Sequence, residues 1–193
     1  MRKIAREYEN PIDNLIIDAV DMLCPAFKKL NFTPNGITTL SMIFGLLSIY
    51  FLYKGHPYLF GVTYFISYFF DCMDGHYARK YKMTSKFGDM YDHIKDVLVL
   101  VLLLGVLILK YRQCVSKLYV VIIFTLLWST LMCWHLGCQE KIYDSDESAT
   151  LSWTKKLCKD SSHIRVSRYF GCGTAIILFI MSVIWTESRI VCN

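Results

Sequence analysis

Long stretches without charge constrain this chain more than any other feature. Residues 30–53, 118–138 and 169–186 contain no Asp, Glu, Lys or Arg. A bilayer core about 30 Å thick is crossed by roughly 20 mostly apolar helical residues. With 54% hydrophobic residues and a mean hydropathy of +0.37, the chain is also too apolar for a soluble domain of this size. We therefore expect a membrane protein that crosses the bilayer several times.

Two shorter apolar runs, residues 57–70 and 97–109, adjoin polar stretches without a helix breaker other than glycine. We interpret them as spanning helices with one polar half. The sequence thus predicts spanning helices over residues 36–53, 58–81, 89–109, 118–138 and 168–187. The fold class is an all-α integral membrane bundle of five to six transmembrane helices.

An amphipathic helix is predicted before the first spanning helix. Asn10 and Pro11 are typical of an N-cap and a first helical residue. Apolar residues then recur at helical spacing as far as Leu30, with Asp13, Asp18 and Asp21 expected on the opposite side. Such a helix should lie along the membrane interface. The domain prediction is an interfacial segment at residues 1–32 and a transmembrane domain at residues 33–190.

The eight cysteines form no Cys-x-x-Cys pair. Cys72, Cys133 and Cys172 fall inside predicted apolar helices, so we expect buried thiols rather than disulfides or a zinc site. The first residues are charged and the first long apolar run starts only after about 30 residues, which argues against a cleavable signal peptide.

The distribution of basic residues predicts the orientation. Most of the 21 Lys and Arg residues lie before the first spanning helix, after the second, and after the fourth. We expect these segments, and hence the N terminus, in the cytoplasm. The expected location is the endoplasmic reticulum or the cytoplasmic membrane.

Two neighbouring predicted helices carry acids spaced to share a face, among residues without bulky side chains. The first face combines Asp71, Asp74, Gly75 and Ala78, and the second combines Gly88, Asp92 and Asp96. Converging carboxylates near a membrane need positive charge to compensate them. An oxygen-only ligand set suits Mg²⁺ or Mn²⁺, so the four aspartates are candidate metal ligands. Arg79 could bind a phosphate in bidentate fashion.

These residues make up a longer pattern: Asp71-x2-Asp74-Gly75-x2-Ala78-Arg79, then eight residues, then Gly88-x3-Asp92-x3-Asp96. The pattern resembles the full signature of the CDP-alcohol phosphotransferase family. The stretch from Thr33 to Thr38 is similar to the family's Pro-Asn-x-x-Thr motif. The similarity is specific over about residues 33–110 and covers the remainder only in general layout.

The resemblance implies the function and the site. An acceptor hydroxyl would attack the β-phosphorus of a CDP-alcohol, CMP would leave, and the product would be a phospholipid. The aspartates would hold one or two divalent ions on the diphosphate, and Asp96 or His93 would accept the hydroxyl proton. The donor-binding residues implied by the resemblance are Asn35, Thr38, Gly75, Ala78, Arg79 and Gly88. The partners would be the CDP-alcohol donor, the alcohol acceptor and membrane lipid, not nucleic acid, with a possible homodimer.

The substrate is left open by two partial similarities. Gly88 to His93 looks like the Gly-Glu-x-x-Asp-His stretch of choline and ethanolamine phosphotransferases, although Ile94 and Lys95 depart from the Gly and small residue that usually follow. Asp74 to Arg79 looks instead like phosphatidylinositol synthases. Both His93 and His76 could also be interfacial histidines bonded to neighbouring groups.

Two other classes of membrane protein are alternatives. An aromatic prenyltransferase also binds Mg²⁺-diphosphate, but it uses a longer chain and two separate Asp-rich motifs. A cation transporter would place acids near the bilayer midplane on broken helices.

Overall fold

The structure, a computed structural model, describes residue 2 and residues 4–143 and 154–190, in which every regular element is helical. One-turn 3₁₀ helices at Ser161–His163 and Arg168–Phe170 flank the short α6. Residues 144–153, within the predicted polar connection, lie outside the described part. The helices are α1 Pro11–Lys29, α2 Pro34–Tyr53, α3 Pro57–Lys80, α4 Lys86–Tyr111, α5 Val115–Tyr143, α6 Ile164–Ser167 and α7 Cys172–Arg189.

The predicted all-helical architecture is confirmed over the described residues, with helix starts set by local capping. Thr33 Oγ1 accepts a hydrogen bond from Gly36 N–H at 3.1 Å, and Pro34 occupies the first helical position. α2 therefore begins two residues earlier than predicted. Ser85 caps α4 in the same way, through Gly88 N–H at 3.0 Å, so the whole acidic stretch of α4 is helical.

Within the described residues, three segments are long and apolar enough to cross a membrane: Pro34–Tyr53, Val115–Ile142 and Ser161–Arg189. α3 and α4, with 24 and 26 residues, are long enough by the 1.5 Å rise of a helix but carry the polar halves predicted from sequence. A total of five to six spanning helices stays a prediction.

α2 is the element on which the two acidic helices are assembled. We expected α3 and α4 to be direct neighbours, but each packs mainly on α2 and they hardly approach one another along their backbones. Far from the acids, residues of α2, α3 and α4 share an apolar core that includes Leu52, Phe60 and Leu103. The acidic halves of α3 and α4 thus flank a gap that has α2 as its floor.

α1 packs on α3 through Ile16, Val20 and Cys24, which are all buried. The prediction that Asp13 lies on the polar side is wrong, because its side chain turns inward and only 7% of the residue is exposed. Leu15, from the predicted apolar side, is 67% exposed. The helix therefore has a buried seam and a separate exposed apolar edge, while its position at a membrane interface stays a prediction.

The segments that are rich in Lys and Arg meet at one end of the bundle. Asn10 Nδ2 donates to Arg168 O at 2.6 Å, and Lys80 Nζ lies 2.6 Å from Asp21 Oδ1. At the other end, Lys110 Nζ lies 3.1 Å from Glu187 Oε2. This grouping agrees with the alternation predicted from charge, and the side of the membrane that each end faces stays a prediction.

The prediction that the cysteines are free, buried thiols is wrong for Cys114, Cys138 and Cys158. Cys138 and Cys158 form a disulfide between the end of α5 and the turn before α6, and Cys114 is also disulfide-bonded. Pairing across 20 residues depends on the path of the connection, which no local spacing reveals. Disulfides are rare in the cytosol, so this bond and the basic residues at the same end point to opposite compartments. The described cysteines that keep free thiols are Cys24, Cys72, Cys133 and Cys172.

The buried carboxylate of Asp13 joins α1, α3 and the start of α7. It accepts hydrogen bonds from Tyr68 Oη at 2.7 Å and from Gly173 N–H at 3.2 Å. The close approach leaves no room for a Cβ at position 173. Burial raises the pKa of Asp13 from 3.8 to about 6, against the lowering effect of these two donors.

We predict that Asp13→Asn changes the pH dependence of stability. The folded protein holds the Asp13 proton more tightly than the unfolded chain, so this carboxyl favours folding at low pH and loses that contribution as the pH rises through about 6. Between pH 5 and 7 the wild type should lose roughly 1 kcal/mol relative to Asp13→Asn. Thermal unfolding in detergent, followed by tryptophan fluorescence, measures this difference. Asp18→Asn, at a surface ion pair, should keep the wild-type slope, and parallel curves for Asp13→Asn and wild type would contradict the prediction.

Candidate active site

Three carboxylates converge in the gap between α3 and α4. Oxygen atoms of Asp71, Asp74 and Asp92 all lie within 4.8 Å of one another. Asp71 and Asp74 come from the polar half of α3, and Asp92 comes from the first turns of α4. The structure therefore brings together three of the four aspartates that the sequence identified as candidate metal ligands.

α2 holds one of these acids in place from the floor of the gap. Thr38 Oγ1 donates to Asp74 Oδ2 at 2.6 Å, and both residues are buried. Thr38 is the last residue of the sequence motif at the start of α2, one helical turn after Pro34. In this structure its hydroxyl orients a carboxylate, a role that was not predicted from the motif.

A lysine occupies part of the acidic site. Lys95 Nζ contacts Asp71 and lies 3.0 Å from Asp92 Oδ1 and 2.7 Å from Asp96 Oδ1. Only 3% of Lys95 is exposed, and its ammonium is 3.5 Å from Ser41 Oγ of α2. Sequence reasoning placed Lys95 inside this helix but missed its ion pairs. Its position three residues after Asp92 and next to Asp96 was the available signal.

Asp96 stands apart from the group of three. Its side chain is 58% exposed and is paired with Lys95. The sequence assigned it two roles, fourth metal ligand and proton acceptor. The structure places it at the rim of the gap, where the lysine lies between it and the other acids.

The donor set in the gap fits a divalent ion. Three carboxylates supply hard oxygen atoms, which Mg²⁺ and Mn²⁺ prefer. Among the described residues, Asp92 Oδ1 is buried without a hydrogen-bond partner of good geometry, although Lys95 Nζ lies 3.0 Å away. One ammonium leaves part of the negative charge of these carboxylates uncompensated, and a divalent ion would balance it.

The small residues of the signature allow other side chains of the sequence motifs to approach the helix backbone closely. A Cβ on Gly75 would lie 3.2 Å from Arg79 Nη1, so the guanidinium extends over this glycine. A Cβ on Gly88 would lie 3.0 Å from Asn35 Oδ1. Ala78 is 9% exposed, on the same stretch of α3. The two sequence motifs, on α2 and on the α3–α4 pair, are therefore in contact.

The two candidate histidines point elsewhere. His93 Nδ1 is 2.8 Å from Asp89 O of its own helix, and its side chain is about half exposed. His76 Nε2 is 2.9 Å from Asp21 Oδ1 of α1, in a separate cleft that Arg2 and Lys80 also line. Each histidine is thus bonded to a neighbouring group, as the alternative interpretation of these residues expected.

Comparison with known proteins agrees with this site. The sequence model of a family described as CDP-alcohol phosphatidyltransferase matches residues 31–187, most of the chain and all of the converging acids. The chain belongs to this family. Its members are transferases of phospholipid biosynthesis, so the chain is assigned to phospholipid head-group transfer in general. No curated protein and no solved structure matches it. Neither the transporter nor the prenyltransferase alternative gains support.

We predict that Thr38→Val weakens divalent-ion binding to this family member. Without the hydroxyl, Asp74 loses the partner that orients it, and removal of such an outer partner lowers metal affinity by roughly 10-fold or more. Titration with Mn²⁺ followed by electron paramagnetic resonance measures the change. Thr39→Val is the matched control, because the neighbouring Thr39 hydroxyl pairs with Tyr91 instead. Equal affinities for wild type and Thr38→Val would show that Thr38 does not position a metal ligand.

Proposed function

We propose that the chain transfers a substituted phosphate group from a CDP-alcohol to an acceptor hydroxyl and releases CMP, with Mg²⁺ or Mn²⁺ as cofactor. The observation that carries this proposal is the convergence of Asp71, Asp74 and Asp92 in one gap. In the reaction a bond forms between the acceptor oxygen and the β-phosphorus. The bond from that phosphorus to the oxygen bridging to CMP breaks.

Asp71, Asp74 and Asp92 would hold the divalent ion, with Thr38 fixing the orientation of Asp74. When bound, the ion stabilises negative charge that develops on the diphosphate oxygens. The rigid helices that carry these acids limit their movement, so the ligand oxygens are in place before the donor binds. Preorganised charge of this kind reduces the barrier to phosphoryl transfer.

The donor would bind along the small residues of the signature. Arg79 extends over Gly75, the residue after Asp74, and its guanidinium would bind a phosphate of the donor. Gly88 and Ala78 would leave room for the cytidine. Asn35 lies against Gly88, and its side-chain amide could form hydrogen bonds to the cytidine. In this proposal the diphosphate would lie between α3 and α4.

Asp96 is better placed than His93 to accept the proton of the acceptor hydroxyl. Its exposed carboxylate lies at the rim of the gap and is joined to the other acids through Lys95. His93 is bonded to the backbone of its own helix, and its ring lies 3.9 Å from the carboxylate of Asp89, outside the signature. A carboxylate at the rim can accept the proton as the new bond forms.

Membership of the family suggests the classes of donor and acceptor and a membrane location. The donor would be CDP-diacylglycerol, CDP-choline or CDP-ethanolamine, and the acceptor a polar head-group alcohol or diacylglycerol. We propose a multi-pass protein of the endoplasmic reticulum or cytoplasmic membrane, with its site towards the cytoplasm, and a homodimer as its oligomeric state. The basic residues at the same end of the bundle as the gap support this orientation, whereas the Cys138–Cys158 disulfide at that end favours the opposite one.

The test is CMP release by purified protein in detergent with Mg²⁺ or Mn²⁺. The three donors would be assayed against inositol, serine, glycerol phosphate and diacylglycerol, with products identified by mass spectrometry. We expect CMP release with one pair, and Asp92→Asn should reduce its rate at least about 10²-fold by removing a charged ligand. Asp89→Asn is the control, since that side chain is 72% exposed and outside the signature. Absence of CMP release with every pair, together with proton-coupled cation flux in vesicles, would favour a transporter.

A second prediction separates the two candidate proton acceptors. Asp96→Asn should lower the rate of CMP release at least about 10²-fold, because the hydroxyl proton loses its acceptor. His93→Ala should stay within a few-fold of wild type, because the ring bonds only groups around Asp89. The rate of each variant is measured with saturating donor and across pH. The reverse result, with loss of the rate only in His93→Ala, would transfer the role to the histidine.

A further inference from the structure

The lysine within the acidic site has an unusual setting. Lysines in membrane helices normally extend their ammonium towards water, with the apolar part of the chain left inside. Lys95 does the opposite: its ammonium is turned into the protein, and 3% of the residue is exposed. It contacts Asp71, Asp92 and Asp96.

These contacts divide the acids into two overlapping groups. Asp71, Asp74 and Asp92 surround one position, at which a divalent ion fits. Asp71, Asp92 and Asp96 surround a second position, and Lys95 Nζ is in it. Asp71 and Asp92 belong to both groups. Two-metal sites have the same plan, with shared carboxylates and ions about 3.5–4 Å apart.

The charge of the site agrees with this division. Four signature carboxylates and one ammonium leave a formal charge of −3, and one divalent ion reduces it to −1. An ammonium has three N–H donors and can serve three carboxylates at once, which matches the three contacts of Nζ. A second divalent ion could enter only if Nζ left the carboxylates that it pairs with.

We propose that Lys95 is a built-in cation that takes the position of a second divalent ion, so that this site binds a single ion. The inference rests on the proposed metal-dependent function and concerns the same site. Asp96 is then held by the protein itself and not by metal. The pattern Asp92-x2-Lys95-Asp96 is the sequence feature that would mark this variation.

The experiment counts Mn²⁺ ions bound to purified full-length protein without nucleotide, by electron paramagnetic resonance titration. We expect one ion per wild-type chain and no signal from spin-coupled ion pairs. Lys95→Met keeps the side-chain length without the charge, and should bind two ions, the first at least about tenfold more tightly than wild type. Lys95→Arg keeps the charge and should bind one. Lys80→Met removes the basic partner of Asp21, outside the acidic site, and should behave as wild type.

Two ions bound to the wild type, or unchanged number and affinity in Lys95→Met, would overturn the inference. If Lys95→Met does not fold, because its carboxylates lose their cation, the wild-type count and a single ion in Lys95→Arg still decide it. CMP release in the donor and acceptor assay tests the proposed function separately. A wild type that releases CMP but binds two ions would refute the role of Lys95 and leave the function standing.

Discussion

Carboxylates that converge between apolar helices repel one another unless positive charge lies close to them. This requirement explains the arrangement of side chains around the gap between α3 and α4. Asp71, Asp74 and Asp92 lie within 4.8 Å of one another, with Lys95 beside two of them. The side chain of Lys95 therefore supplies part of the positive charge that balances these carboxylates. The remainder of the negative charge is what makes the gap suited to a divalent ion.

α2 gives this site its shape although it contributes none of the acids. α3 and α4 both pack on α2. Two hydroxyl groups of α2 face the site: that of Thr38 donates a hydrogen bond to Asp74, and that of Ser41 lies close to the ammonium of Lys95. Direct packing of α3 on α4 would have closed the gap. Because a third helix holds them apart, the polar halves of both helices contribute to the position where the acids converge.

Much of this was readable from sequence, because the controlling signals are local. Charge-free runs mark most of the helices, and helical spacing puts Asp71 and Asp74 on one face. The caps Thr33 and Ser85, which set where α2 and α4 begin, were seen only in the structure. Where prediction failed, the controlling contact came from a distant segment. Asp13 is buried by Tyr68 and Gly173, and Cys138 meets Cys158 through a connection whose path has no local signature.

By itself the sequence determined the all-helical class, the approximate extent of six long helices in the described residues, and the family. It also named four candidate acids, of which the structure brings three together. These depend on hydrophobic periodicity and on side-chain spacing along single helices, which are fixed once a segment is helical. Only the tertiary structure decided that α2 separates the acidic helices, that Thr38 orients Asp74, and that the ammonium of Lys95 points inward. Those outcomes depend on how helices pack against each other, since a flexible side chain such as lysine takes its direction from the charges that neighbouring helices bring to it.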